Sequence, residues 1–525
     1  MTWNSGTATD RLDLLDQLVE IATSRHVATV AVNNGGSGYA VGDILSVAGG
    51  TASHTATIEV TSVSSGVIDG VRVNEGGAYT ADPTTSGNSV TGGSGSGATM
   101  DLTMDDTGWT VNRRTQEAAS AAVGTAGSGY SVSDQLSVSG GLQGHNGVTA
   151  VFNVDSVDGG GGVTGVSLVT AGNYEEVPAN DASTTGGGGS GCELTVTWQD
   201  ATSQEQVLIM TGTVSGTNPV VGVKTWQGQN VTGTDTTFNW SLFGMTAYNS
   251  GLEFQDQPDI SPGLETDGAP EEDVPAGSIV PLKDQDAFNI EWWVSINGRR
   301  IVGVAKVESA TTTHYMHFYL GHLNPLGITS ELPYPLYVAG STNRPQAAYD
   351  ETAGPVAGLS EAIALSGGGS TGPGHAWSPA GEWVSFRNAE VFTDTDTTPT
   401  AGDRENIIYP LGTPNVPVDS EDEIVADTGG VDWQDVMFDD NAGAWEVFPS
   451  EGTERVLVPC VVLRADDQVS PEVYSQLGEL DGVFWTSAAN GESSEDFLSS
   501  GDDRYRIFQN GNRVRTYSFL ALKED

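Results

Sequence analysis

The chain carries a near-copy of part of itself. Gly36-Ser37-Gly38-Tyr39, then Val41-Gly42-Asp43-Ile44-Leu45-Ser46-Val47, then Gly49-Gly50, return 91 residues later. The second appearance is Gly127-Ser128-Gly129-Tyr130, Val132-Ser133-Asp134-Gln135-Leu136-Ser137-Val138 and Gly140-Gly141. The match continues through Gly70-Val71-Arg72-Val73 against Gly165-Val166-Ser167-Leu168, and Gly77-Ala78-Tyr79 against Gly172-Asn173-Tyr174. Each copy closes with a glycine/serine tract and a last alternating segment, Ala98–Met104 and Cys192–Trp198. An internal repeat means that one folding unit is used twice. Small apolar cores separated by polar turns suit presentation and assembly better than chemistry.

Within each copy, short alternating runs such as Thr55–Val60 and Thr149–Val154 predict strands, punctuated by glycine pairs. The Gly-Ser-Gly-Tyr pieces predict turns in which glycine takes positive φ and tyrosine covers the module edge. Ahead of them, Thr9-Asp10 offers a cap, and Leu12, Leu15, Leu18, Val19 and Ala22 recur at helical spacing. A lone amphipathic helix cannot bury its stripe by itself, so it docks onto a β module or onto neighbouring subunits. From about Gln206 the texture changes to longer, tryptophan-containing strands. Asn289–Ile296 meets Asn297-Gly298, a strong hairpin signal, and returns as Arg299–Val307. The expected fold is mostly β: an N-terminal helix, two tandem glycine-rich β modules, and a larger C-terminal β-sandwich-like region with long loops. The expected division is a helical arm at 1–26, modules at 27–107 and 117–200, and a C-terminal region at 203–525 for assembly or receptor contact.

A chain of 525 residues can bury several cores, and 37% hydrophobic content with 12 Trp excludes global disorder. No run approaches the roughly 18 apolar residues of a membrane span, and the start lacks a basic, then apolar leader. A soluble protein without membrane insertion is expected, with any export using a route other than a cleaved signal. The formal net charge of −49 repels nucleic-acid phosphates and argues against a DNA or RNA partner. Lys224, Lys283, Lys306 and Lys523 are the only lysines. Two readings fit that surface: adaptation to salty water, where screening removes self-repulsion, or a biased codon supply. Cys192 and Cys460 lie far apart and predict no disulfide framework.

Catalytic signatures are weak. Gly368-Gly369-Ser370-Thr371-Gly372 matches the nucleophile-elbow pattern beside His375, but Pro373 and Gly374 forbid the helix an elbow needs. His314 and His317 point to opposite faces of a strand, so edge histidines outweigh a metal site there, and His322 adds no spacing that changes this. No Walker loop, Rossmann fingerprint or kinase signature is present, no catalytic residue is assigned, and no organic cofactor is expected. Calcium or sodium is the one exception the residues allow. Its places are the acidic loops Asp256–Asp273, Asp394–Asp403 and Asp419–Asp440. Aromatics are the better lead. Trp292, Trp293, Trp377 and Trp383, with Tyr334-Pro335-Leu336-Tyr337, are candidates for a glycan-binding face, because flat rings stack on pyranose faces. Strand alternation would bury one member of each adjacent pair and expose the other.

Several stretches look familiar together. Trp3-Asn4-Ser5-Gly6-Thr7-Ala8 with the leucine-rich helix resembles the start of tailed-phage virion proteins from tail tips, baseplates and fibres. The Gly-Ser-Gly-Tyr module resembles a repeat of phage structural and adhesin-like proteins. Glu291–Ile301, Tyr319–Pro325, Tyr334–Val338, Gly478–Trp485 and Ile507–Asn510 are similar to a block in the same kind of protein. The resemblance implies a structural virion component and carries no catalytic residue. The expected role is assembly and host adsorption in a phage-like tail, in several symmetric copies. Its partners would be copies of itself, other virion proteins and host surface glycan, in a virion assembled in the host cytoplasm. The alternatives are a head decoration or portal-proximal virion protein, and a tailspike-like polysaccharide depolymerase.

Overall fold

The computed structural model describes residues 1–143, 148–201, 206–214, 217–229, 236–262, 278–282, 289–308, 313–325, 335–341, 349–350, 354–355, 374–378, 381–386, 407–409, 457–466, 473–487, 493–501, 503–509 and 518–524. Strands dominate, in several antiparallel sheets.

The body is a stack of three sheets. Its middle layer has seven strands in the order Thr2–Ala8, Ile290–Asn297, Arg300–Glu308, Thr313–His322, Leu336–Ala339, Gly374–Trp377, Trp383–Phe386. One outer layer is a meander of Thr110–Arg114, Gln206–Thr211, Val220–Gln229, Thr236–Met245 and Ser278–Leu282. The other has six strands in the order Ile407–Tyr409, Val458–Asp466, Val473–Ser487, Ser518–Lys523, Asp503–Gln509, Phe497–Ser500. Strand alternation sends Trp292, Val294, Ile296 and Phe318 toward Leu208, Val223, Trp240 and Leu242 of the meander. Trp293, Val302, Val304, Tyr319 and Tyr337 face Cys460, Val462, Val483, Trp485 and Leu520 on the other side. A sheet covered on both faces favours apolar residues on both sides of its strands, as in Trp292-Trp293-Val294 and Ile301-Val302-Gly303-Val304-Ala305.

This stack corrects two expectations. Trp292 and Trp293 are 1% and 6% exposed, so neither is the free member of a pair. Residues 1–26 are not one helical arm, since Thr2–Ala8 is a strand paired along its length with Ile290–Asn297, from Thr2 opposite Ile296 to Ala8 opposite Ile290. The helix α1, Arg11–Thr23, begins at Asp10, whose carboxylate accepts from the amides of Leu12 (2.8 Å) and Asp13 (2.9 Å). Leu14, Leu15, Leu18 and Ile21 enter the core between the seven-stranded sheet and the meander. Trp240 Nε1 donates to the Arg11 carbonyl at 3.0 Å, and Trp292 Nε1 to Gln17 Oε1 at 3.0 Å. The apolar stripe is consumed within its own chain.

Two eight-stranded sheets leave this body between its early strands. The first runs in the order Thr51–His54, Ala78–Ala81, Arg25–Ser37, Ser96–Asp106, Asn88–Gly92, Ile44–Val47, Thr57–Ser64, Val67–Glu75. The second runs Leu142–Gln143, Tyr174–Glu176, Gln116–Ser128, Ser190–Asp200, Ala182–Thr185, Gln135–Val138, Val151–Val157, Val163–Thr170, which is the same order. Both long first strands are bulged twice, between Val27 and Thr29 and between Val32 and Asn34, and between Ala118 and Ser120 and between Val123 and Thr125. Bulges bend and twist a strand, which lets each sheet curl around its core. Asp43 accepts from the amides of Ala40 (3.0 Å) and Ser94 (2.9 Å), and Asp134 from those of Ser131 (3.0 Å) and Gly188 (2.9 Å). These bonds tie each Gly-Ser-Gly-Tyr turn to its glycine tract. A Cβ on Gly95 or Gly189 would fall 2.5 Å from the Cγ of Tyr39 or Tyr130, so the tyrosine ring lies flat on a position that only glycine leaves open.

Burial on both faces has a direct consequence. Trp292→Ala and Trp293→Ala should each cost about 3–5 kcal/mol in denaturant unfolding, the usual range for truncating a large core aromatic. A near-neutral effect of either one would mean that its face is not packed.

Candidate functional site

The candidate aromatic face shrinks to one hairpin. Trp377 and Trp383 are opposite each other across strands Gly374–Trp377 and Trp383–Phe386, at the margin of the seven-stranded sheet. Their rings meet edge to face, with centroids 5.4 Å apart, and both are half-buried against the core. Trp383 Nε1 donates to the Asp259 carbonyl at 2.6 Å, which fixes the ring's angle. Tyr337 is fully buried and offers no face, and Tyr334 lies outside the described residues. Of the four tryptophans singled out by sequence, this pair alone keeps partly open rings. The other two belong to the core.

The remaining candidates separate. The elbow-like residues 368–372 lie outside the described residues. His375 is buried with its Nδ1 3.2 Å from Ser278 Oγ, and that hydroxyl also lies 3.2 Å from the Val338 carbonyl oxygen, to which it donates. Ser278 is 0% exposed, so a substrate has no approach to this pair. His317 and His322 are both buried. No group of three or more metal-ligating side chains occurs among the described residues. Residues 263–277, 394–403 and 419–440, which hold most of the acidic loops, lie outside them. Cys192 and Cys460 are buried free thiols, both pushed upward in pKa by burial. Among the described residues, no helix is long and apolar enough to cross a membrane.

Sequence reasoning missed a different kind of site: the seams. Several of the scarce arginines sit where one sheet meets another. Arg113 is fully buried and gives Nη1 to Glu175 (2.7 Å) and the Leu252 carbonyl (2.6 Å), and Nη2 to Glu176 (3.0 Å) and the Ser250 carbonyl (2.8 Å). Phe254 N adds a 2.8 Å bond to Glu175. One guanidinium thereby joins the meander, the second eight-stranded sheet and the 249–257 loop. Burial pushes the Glu175 carboxyl up to about 7, against the pull of Arg113. Arg504 plays the same part for the first eight-stranded sheet, reaching Glu59 at 2.6 Å and Asn74 at 2.8 Å while also pairing with Glu524. Between the seven- and six-stranded sheets, Asp481 accepts from Asn297 (2.8 Å) and Asn324 (2.8 Å) and lies 3.4 Å from Arg300 Nε. Burial works to raise the Asp481 carboxyl, but Arg300 and the two amides outweigh it and hold it below the ordinary value. The scarcity of basic residues was the one signal in the sequence: each cation kept in so acidic a chain has a reason to be there. This arrangement clamps surfaces together and exposes no reacting group.

No protein-family model matches the chain, and no curated protein matches it.

Two outcomes follow from the seams and the buried imidazoles. Arg113→Ala leaves Glu175 buried without its partner, which costs about 3–5 kcal/mol for a buried pair, and limited proteolysis should then cut near 110–116 or 249–257 first. Unchanged melting and cleavage would mean that the seam is not held there. Burial holds His26, His322 and His375 down to about 4, against about 6.5 in an unfolded chain. Between those values the unfolded state takes up protons that the folded state refuses. Stability should be full above pH about 6.5 and fall as pH drops toward about 4. His26→Gln should make that loss shallower in urea titrations across pH, and an unaltered slope would exclude His26 as a contributor.

Proposed function

We propose that this chain is a structural component of a phage-like virion tail, of tail-tip, baseplate or fibre type, serving assembly and host adsorption. The observation that carries this reading is the pair of eight-stranded sheets with one strand order, each seated by a buried arginine on a common three-sheet body. We read the two sheets as copies of one tandem module, on the strength of their shared turns, bulges and Asp43/Asp134 bonds. In that reading the chain comprises the N-terminal strand and helix, two modules and a C-terminal β body that the N-terminal strand completes. Rigid seating of a repeated unit suits a part that transmits position and force. An enzyme would need a cleft with convergent polar groups. The Trp377–Trp383 hairpin supports an adsorption role, because paired half-open indoles are suited to stacking on sugar rings.

Reconstruction of the particle containing this protein tests the reading. The expected result is density for the three-sheet body and both modules in the tail, repeated by its symmetry. Density in the head shell or at the portal vertex would replace the tail assignment. Cleavage of host polysaccharide by the purified chain would replace the structural role with depolymerase activity.

A further inference from the structure

The two seams that seat the eight-stranded sheets on the body differ in charge. At the first, three guanidiniums meet two carboxylates, with Glu59 taking Arg72 and Arg504 and Glu524 taking Arg504 and Arg506. At the second, Arg113 pairs with both Glu175 and Glu176, and among the described residues no other cation pairs with either. The side chains of Arg113 and Glu175 are 0% and 2% exposed, whereas that of Glu176 is 38% exposed. One carboxylate more than the cation can neutralise is therefore held out of water, and taking up a proton is the cheapest way to remove its charge. Glu175 is built to accept one. Arg113 Nη1 and Phe254 N both donate to Oε2, a role that the carbonyl oxygen of a neutral carboxyl also fills, so Oε1 can carry the proton.

The acid pair belongs to the seam and not to the folding of the sheet. Tyr79 opposes Arg25 and Ala52 in the first sheet as Tyr174 opposes Gln116 and Gln143 in the second. The next two residues are Thr80-Ala81 in the first, both exposed, and Glu175-Glu176 in the second. The same strand thus forms without carboxylates. The 246–257 loop packed on Glu175 brings no compensating cation. Its Glu253 adds negative charge, its Asp256 is exposed, and its Tyr248 donates to Glu176 at 3.4 Å with Arg113 5.5 Å from the ring centre. Arg114, next to Arg113, is paired with Asp16 and Asp200, and Glu117 on the adjacent Gln116–Ser128 strand accepts from Gln199 at 3.0 Å. We propose that this seam is a proton-controlled latch: neutral Glu175 holds the second eight-stranded sheet on the meander and the 249–257 loop, and charged Glu175 loosens that hold while the first sheet stays fastened.

The direction with pH follows from the two states of the carboxyl. In the closed seam burial raises it to about 7 against the pull of Arg113, and in water it returns to about 4.3. A group raised by closure stabilises the closed form fully below the lower value and loses that contribution as pH rises through the upper one. Between the two, opening releases one proton, so the opening constant grows about tenfold per pH unit and levels off above about 7. The buried histidines have the opposite sign, since they ease unfolding as pH falls, and the two effects separate.

Hydrogen exchange of the full chain from about pH 5 to about pH 8, read by mass spectrometry and normalised to the unstructured rate at each pH, is the test. Peptides covering 110–116, 174–177 and 249–257 should lose protection by about tenfold per pH unit up to about 7. Peptides covering Glu59, Asn74 and Arg504 should not follow them. Glu175→Gln keeps an oxygen for Arg113 and Phe254 and should give one normalised rate across the range. Glu176→Gln removes the extra carboxylate at a half-exposed position, leaves Arg113 to Glu175 alone, and should move the levelling-off to lower pH. That variant decides the matter if Glu175→Gln fails to fold. Flat protection at the three seam segments in the parent chain would overturn the proposal. So would a slope that both variants retain, or a loss shared equally by the first sheet.

Discussion

Everything in the body depends on the seven-stranded sheet being covered on both faces. A strand of 290–297 type, with Trp292 and Trp293 side by side, has no solvent side to lose when a second layer closes on it. Its cross-strand hydrogen bonds then lie in an environment without competing water. Its edge has to be finished by another strand, and Thr2–Ala8 does this from the other end of the sequence. That pairing holds the beginning of the chain to its middle. It also fixes where helix α1 can lie, since only two residues separate Ala8 from Arg11. The helix fills the space between the layers with leucines, and its carbonyl and amide groups meet Trp240 and Trp292.

The eight-stranded sheets are excursions from that frame, and each is returned to it by a buried arginine. Burying charge is costly unless each charge is paired and fully hydrogen-bonded. Arg113 and Asp481 come close to that condition, with four and three acceptor or donor partners respectively. Such contacts contribute position more than net stability, because a hydrophobic pair of similar volume could hold as tightly but would not dictate one orientation. Where two eight-stranded sheets join a common body, a fixed orientation is what such contacts supply. The acidity of the rest of the chain strengthens the selection. With 69 acidic and 20 basic residues, a guanidinium placed on open surface would find carboxylates anywhere, whereas at a seam it chooses one register.

Much of the secondary structure was legible because it rests on local rules. Mostly β content followed from glycine-punctuated alternation, and the Asn297-Gly298 turn does join Ile290–Asn297 to Arg300–Glu308. The aromatic candidates were half legible. Alternation says correctly that Trp292 and Trp293 point in opposite directions, but it is silent about whether a layer lies beyond each face. Residues 1–8 were illegible as a strand, since a short segment such as Thr2–Ala8 acquires strand structure only from its partner, 282 to 294 positions away. The seams were illegible for the same reason, because Arg113 and Glu175, or Arg504 and Glu59, are brought together only by folding.

By itself the sequence determined what depends on neighbouring residues: β texture, the turns at Gly-Ser-Gly-Tyr, a cap at Asp10, a repeated pattern and a strongly acidic surface. The tertiary structure alone decided which surfaces are covered. Val148 and His54 occupy equivalent positions in nearly the same local pattern, yet one is open to water and the other lies on Trp292. Burial is a property of what packs against a residue from distant parts of the chain, and no rule of neighbouring residues contains it.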